Sequence, residues 1–143
     1  MTDYRSAHTA DIPPLVLYAI LRLRVDVFVV EQECAYPELD GRDIEPTAVQ
    51  LWAEEAGEVI ATLRLLTDGP DRRIGRVATA ARARGRGVAA DLMQRALAEC
   101  EGAVVRLDAQ AHLAGWYARF GFAPDGPEFL EDGIPHVPMI RVA

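Results

Sequence analysis

The sequence of 143 residues contains no lysine and no asparagine, and Ser6 is its only serine. Each gap removes chemistry: a Schiff-base amine, a Walker-type phosphate loop with its lysine, and a serine nucleophile in the folded interior. Cysteine is scarce too. Cys34 and Cys100 stand 66 residues apart with no second thiol near either, so neither forms a metal-ligand or redox pair with a sequence neighbour. Two isolated thiols and no signal peptide predict a reducing, cytoplasmic setting. Cys100 falls on a predicted apolar helix stripe and is read as a small buried hydrophobe. His8, His112 and His136 are too scattered for a ligand spacing, so no metal is expected. No apolar run approaches the length of a membrane span.

The hydrophobic share of 50% and charged share of 26% suit a folded chain, and the length suits one domain over residues 1–143. A net charge of −7 argues against nucleic-acid or anionic-membrane binding. That charge is unevenly spread. Residues 72–87 hold six arginines (Arg72, Arg73, Arg76, Arg82, Arg84, Arg86) and no acid, whereas the remainder sets nine arginines against all 22 acids. Such a run is either a solvated basic face or a local anion site.

Element order narrows the fold. A strand at 4–7 precedes a helix that Asp11 can cap and whose first turn tolerates Pro13 and Pro14, with Leu17, Ile20, Leu21 and Val25 on its apolar face and an end near Phe28. Residues 31–45 form an acidic loop without period. Strands at 49–54, 59–66 and 74–79 follow, joined at Ala56-Gly57 and Asp68-Gly69-Pro70. A helix at 88–101 has Ala89, Leu92, Met93, Ala96, Leu97 and Cys100 at helical spacing, and Gly102 stops it. A strand at 104–109 comes next, then a helix with Leu113, Trp116, Tyr117 and Phe120 in register and Gly121 at its end, then strands near 122–129 and 136–142. This order predicts a mixed α/β (α+β) domain. Its six- or seven-stranded sheet is mostly antiparallel, with helices on both faces and one splayed parallel pair in the middle, formed by the strands at 74–79 and 104–109.

Arg84-Gly85-Arg86-Gly87-Val88-Ala89 lies between a strand and a helix, where free amides and the helix dipole favour an anion and arginines can form paired bonds to phosphate. Gly85 to Ala90 also matches the dinucleotide fingerprint G-x-G-x-x-A, with Asp108 near the place of a ribose-binding acid. That fold, however, wants its first glycine directly at the strand's end and further parallel strands around it. Here Ala80 to Arg84 intervene, and the preceding strands look antiparallel.

Arg84-x-x-Gly87-x-Ala89 is instead similar to the [Q/R]-x-x-G-x-[G/A] signature of the GNAT superfamily of acyl-CoA N-acyltransferases. The run from Leu113 to Phe122 resembles that superfamily's tyrosine-bearing helix. The segments VFVVEQECAYPELDGRD, AQAHL and EDGIPH are similar to its ElaA-like group over nearly the whole chain. The resemblance implies direct transfer of an acetyl group from acetyl-CoA to an amine of a small molecule or peptide. It assigns the thioester to backbone amides of Val77, Ala78 and Thr79, and the diphosphate to Arg84, Gly85, Arg86, Gly87, Val88 and Ala89 with Arg82 beside them. Tyr117 takes the role of acid to the departing thiolate. The base stays open: His112 first, then Glu31 and His136, with a water relay to Glu131 also sufficient. On charge, the acidic run Glu31, Glu33, Glu38, Asp40 and Asp43 would attract a cationic amine or simply be solvated. Two other readings remain. The Arg-x-x-Val-Phe-Val-x-Glu-Gln pattern at Arg24 to Gln32 also resembles the acyl-homoserine lactone synthases, and the same fold could bind acyl-CoA without turnover. The oligomeric state is open and compatible with a homodimer.

Overall fold

The computed structural model describes residues 1–143. Eight strands form one sheet: β1 (Asp3–His8), β2 (Val49–Glu55), β3 (Glu58–Asp68), β4 (Asp71–Thr79), β5 (Val105–Gln110), β6 (Ala123–Pro124), β7 (Phe129–Glu131) and β8 (Ile134–Arg141). They lie in the order β1-β2-β3-β4-β5-β8-β6, with β7 also paired to β8. The helices are α1 (Pro14–Val25), α2 (Val88–Ala98) and α3 (Ala114–Ala118). None is long and apolar enough to cross a membrane.

Strand alternation explains the layering. Leu51 and Ala53 of β2 join Leu92, Met93, Ala96 and Leu97 of α2 in the main core, while Trp52, pointing the other way, packs with Ile12 and Ile20 on the side of α1. Helices therefore cover both faces, as expected. The predicted tail strand at 122–129 divides into β6 and β7, because Pro124 and the glycine and proline that follow interrupt its ladder. Asp11 does not cap α1; it sits in a separate 3-10 turn, and Pro13 takes the N-cap position. Beyond Val25 the chain widens into a π-helical turn over Asp26–Glu31, which carries Val27 and Phe28 against Ala78 of β4.

The only parallel pair is β4 with β5, matched at Arg72↔Val105 and Arg73↔Arg106 and nowhere further. Past those two rungs the strands part. An irregularity in the β3–β4 register gives β4 one extra residue where Arg76 adopts φ +53°, and this bulge bends β4 away. β5 is held on its other side by six paired positions of β8. The short parallel overlap excludes the continuous parallel sheet that a dinucleotide fold requires.

In the loop at 31–45 Glu31 and Glu33 are exposed, but Glu38 and Asp43 are buried rather than solvated. Arg24 lies on the buried stripe of α1 and is completely enclosed. Its Nε is 2.7 Å from Glu38 Oε2, and its Nη1 and Nη2 are 2.7 and 3.1 Å from the two oxygens of Asp43. Arg64 makes two bonds of 2.8 and 2.7 Å to Asp40, and Gln50 donates to Asp43 at 2.9 Å. Three acids proposed to draw in a cation are thus already neutralised, and they pin the loop to α1 and the sheet.

Replacing Arg24 with leucine leaves buried carboxylates short of a partner and should cost about 3–5 kcal/mol in denaturant unfolding; a loss below about 1 kcal/mol would overturn this account. Stability should also fall in acid. Hydrogen bonds from Arg64 hold Asp40 below the ordinary carboxylate range, and for Asp43 the bonds from Arg24 outweigh the opposing effect of burial. Both folded pKa values lie below the unfolded value of about 3.9, so this stabilisation is full above that pH and lost as pH drops further. Urea midpoints measured across pH 2–6 check the sign.

Candidate functional site

The fork between β4 and β5 opens into a cleft of about 1340 Å³. One wall is the β4 edge beyond Arg73, including Val77, Ala78 and Thr79, with no strand alongside. The other is β5 with α3. The π-helical turn and residues 34–37 form the near rim, and the β7–β8 hairpin the far one.

At one end of the cleft stands the Arg–Gly loop. Gly85 and Gly87 have φ of +79° and +77°, and an added Cβ at either would meet no protein atom within 4 Å. The conformation, rather than internal crowding, therefore selects glycine here. The open space lies in front of the first turn of α2, whose initial amides have no intrahelical acceptor. Gly85, Gly87, Val88, Ala89 and Arg84 all line the cleft. A phosphate group fits that cradle of free amides, open glycine backbone and guanidinium. Arg82 and Arg86 do not line it: Arg82 is 2.6 Å from Glu58, and Arg86 bonds Glu55. The candidate cradle therefore takes in fewer arginines than the run at 72–87 holds, because acids on the β2–β3 hairpin draw Arg82 and Arg86 aside.

Tyr117 stands on α3 and lines the cleft. Its ring is 8% exposed and packs edge-on against Trp116 and Phe122, at 4.9 and 6.4 Å between centroids. Burial alone pushes its pKa up to about 12, and its hydroxyl bonds to no protein group. A buried tyrosine usually finds such a partner.

The three residues considered as bases differ sharply in setting. His112 is exposed in the turn after β5 and makes no side-chain bond. Glu31 is clamped, with its two oxygens each 2.7 Å from a terminal nitrogen of Arg84; the Arg84 bond holds its pKa below the usual glutamate range. His136, on β8 opposite Gln110, is mostly enclosed. Its Nδ1 lies 2.7 Å from the Ile134 carbonyl, which can only accept, so Nδ1 carries the proton and Nε2 keeps a lone pair in the neutral ring. Phe129 stacks on the ring at 5.8 Å, and Glu131 lies 3.9 Å from Nε2.

Arg73, Arg76 and Asp108 also reach the cleft, and nothing in the sequence marked them as a group. Arg73 bridges Asp68 at 3.0 Å and Asp108 at 3.4 Å, so Asp108 is an ion-pair partner. Arg76 lies over the Tyr36 ring at 5.6 Å and contacts Glu38 and Asp40. The pattern from Arg24 to Gln32 is in large part architectural: Arg24 is buried with its acids, and Gln32 accepts from Gln110 at 3.2 Å.

A forked parallel pair with a glycine-rich anion cradle at the head of the following helix defines an acyl-CoA N-acyltransferase. The GNAT acetyltransferase domain model matches residues 24–142, and the chain belongs to that family. Among its relatives, protein ElaA of Escherichia coli is 37% identical over 99% of this chain and 97% of its own. A UPF0039 protein of Mycobacterium tuberculosis is 50% identical over 96% and 91%. Among solved structures, an acyl-CoA N-acyltransferase from Pseudomonas aeruginosa superposes with a TM-score of 0.95 at 42% identity, covering 99% and 100% of the two chains. Escherichia coli ElaA does so at 0.93 and 36%, covering 99% of each. A CoA-dependent acyl-homoserine lactone synthase shares the fold at 17% identity.

Gly87→Val forces a branched side chain into φ +77° at the head of α2. The strain should be on the order of 1–2 kcal/mol, and the added bulk should project into the cradle. Calorimetry should show CoA binding at least tenfold weaker than that of a folded wild-type control, and unchanged affinity would remove the loop from the site.

Proposed function

We propose that this acyltransferase moves an acetyl group from acetyl-CoA to the primary amine of a small molecule or peptide by direct attack within a ternary complex. The observation that carries this reading is Tyr117: a buried ring whose hydroxyl is protonated at working pH, has no protein partner and lies on the wall of the cleft. Arg84 and the amides of Gly85 to Ala89 hold the diphosphate. The pantetheine arm bonds along the free β4 edge, in the place a neighbouring strand would take, and amides of Val77 to Thr79 polarise the thioester carbonyl.

The amine arrives as an ammonium and must lose a proton before attack. His136 takes it. The fixed tautomer supports this, because Nε2 is left basic while Glu131 stands ready to stabilise the imidazolium. Nitrogen then attacks the carbonyl carbon, the C–S bond breaks as Tyr117 gives its proton to the thiolate, and the second proton that the nitrogen sheds on becoming an amide passes through solvent to restore the Tyr117 phenol. His112 lacks an orienting bond, and Glu31 is committed to Arg84, so neither competes well for the base role.

A panel of primary amines incubated with acetyl-CoA, scored by free-thiol release and by acetyl mass gain, tests the proposal; thiol release no faster with any amine than without would refute it. With an acceptor in hand, Tyr117→Phe should lower kcat by about 10²- to 10⁴-fold while CoA affinity and Tm move little. A purely structural hydroxyl would instead cost about 1 kcal/mol of stability and spare the rate per folded molecule. His136→Gln should lower kcat/KM by about 10²- to 10⁴-fold, and His112→Gln should leave it nearly unchanged.

A further inference from the structure

Glu31 and Arg84 face one another as two parallel hydrogen bonds, Nη1 to Oε2 and Nη2 to Oε1, each 2.7 Å. The remaining edge of the guanidinium is anchored, Nε donating to the Thr79 carbonyl at 3.1 Å. Arg84 is thus oriented by the end of β4, and the pair of N–H groups that a phosphate would accept is taken by a carboxylate of matching bite. Both side chains line the cleft and remain 42% and 46% exposed, so the pair is accessible to solvent and exchangeable. Glu31 ends the π-helical turn, and no other cation contributes to holding it.

We infer that the Glu31 carboxylate is an internal substitute for the cofactor's diphosphate, occupying Arg84 until acyl-CoA displaces it and so holding down the affinity for thioesters that carry a nucleotide diphosphate. This rests on the reading of Arg84 as a diphosphate ligand. A diphosphate outcompetes the carboxylate because it also gains the glycine amides and the start of α2, which Glu31 does not reach in its observed bonds. A thioester without that group, such as S-acetylpantetheine, has nothing to offer Arg84 and leaves the internal pair closed. Glu31 therefore sets how tightly CoA binds without entering the chemistry at the thioester, which lies a pantetheine arm away.

Calorimetric titration of the full chain tests this with CoA and S-acetylpantetheine as separate probes. Glu31→Gln should bind CoA about three- to tenfold more tightly than wild type, and its affinity for S-acetylpantetheine should be unchanged. Glu33→Gln, which removes the same charge two residues away with no Arg84 contact, should shift CoA affinity less than twofold. Arg84→Ala should weaken CoA at least tenfold and make the Glu31 substitution silent in the double variant. If Glu31→Gln binds CoA no more tightly while Arg84→Ala still weakens it, the inference is overturned and the diphosphate reading of Arg84 survives. Equal tightening by Glu33→Gln, or of both probes by Glu31→Gln, also overturns it, because the effect is then general charge or access. If Arg84→Ala leaves CoA affinity intact, the reading of Arg84 fails and the inference with it.

Discussion

Strands β4 and β5 run together for two residues and then separate, and the unpaired edges past Arg73 and Arg106 set the terms for the rest of the molecule. Backbone donors and acceptors removed from water need partners. Elsewhere in the sheet other strands supply them. Along the inner edge of β4 nothing does, and the gap is kept open by two opposing restraints: the bulge at Arg76 bends β4 outward, and β8 holds β5 through six paired positions. A cleft bordered by unsatisfied peptide groups suits a ligand arm that is itself amide-rich, which is why the fork and an acyl-CoA substrate belong together physically.

Holding such an opening apart needs rigid walls, and the charge network supplies one. Arg24, Arg64 and Arg76 would be costly to enclose singly. Linked through Glu38, Asp40 and Asp43, they become struts between α1, the segment that follows it and the sheet. Breaking one strut exposes the others to unpaired burial, so the loop behaves as part of the wall rather than as a flexible lid. The same network changes the electrostatics of the cleft, since acids used internally no longer attract a cation, leaving Glu131 and Asp132 at the hairpin as the freer carboxylates.

The cleft divides its chemistry by position. At the loop end the environment is open and cationic, suited to phosphate and to an exchangeable partner such as Glu31. Toward α3 it is enclosed by Trp116 and Phe122, and there a phenol stays protonated because its anion would be poorly solvated. His136 sits on the face of the sheet away from the main core, opposite Gln110, whereas Tyr117 packs within that core, so the two side chains reach the cleft from different sides.

Much of the architecture was legible in the residues themselves. Periodicity located α2, the β2–β3–β4 meander and β5 to within a few positions, and the glycines at 85 and 87 marked an open loop at a helix head. The apolar stripe through Tyr117 was equally visible, although a stripe cannot say whether a hydroxyl finds a partner. Local pattern failed where long-range pairing decided the outcome. Arg24 interrupts an apolar stripe, and its acids lie 14 and 19 residues on, so only folding reveals a buried cluster instead of a solvated loop. Arg82 and Arg86 look equivalent to Arg84 along the chain, yet the β2–β3 hairpin brings Glu58 and Glu55 to the first two and the π-helical turn brings Glu31 to the third. Element type and order follow from side-chain period and backbone preference, which act over a few residues. The employment of each charged side chain depends on which distant carboxylate the fold delivers to it, and only the tertiary structure decides that.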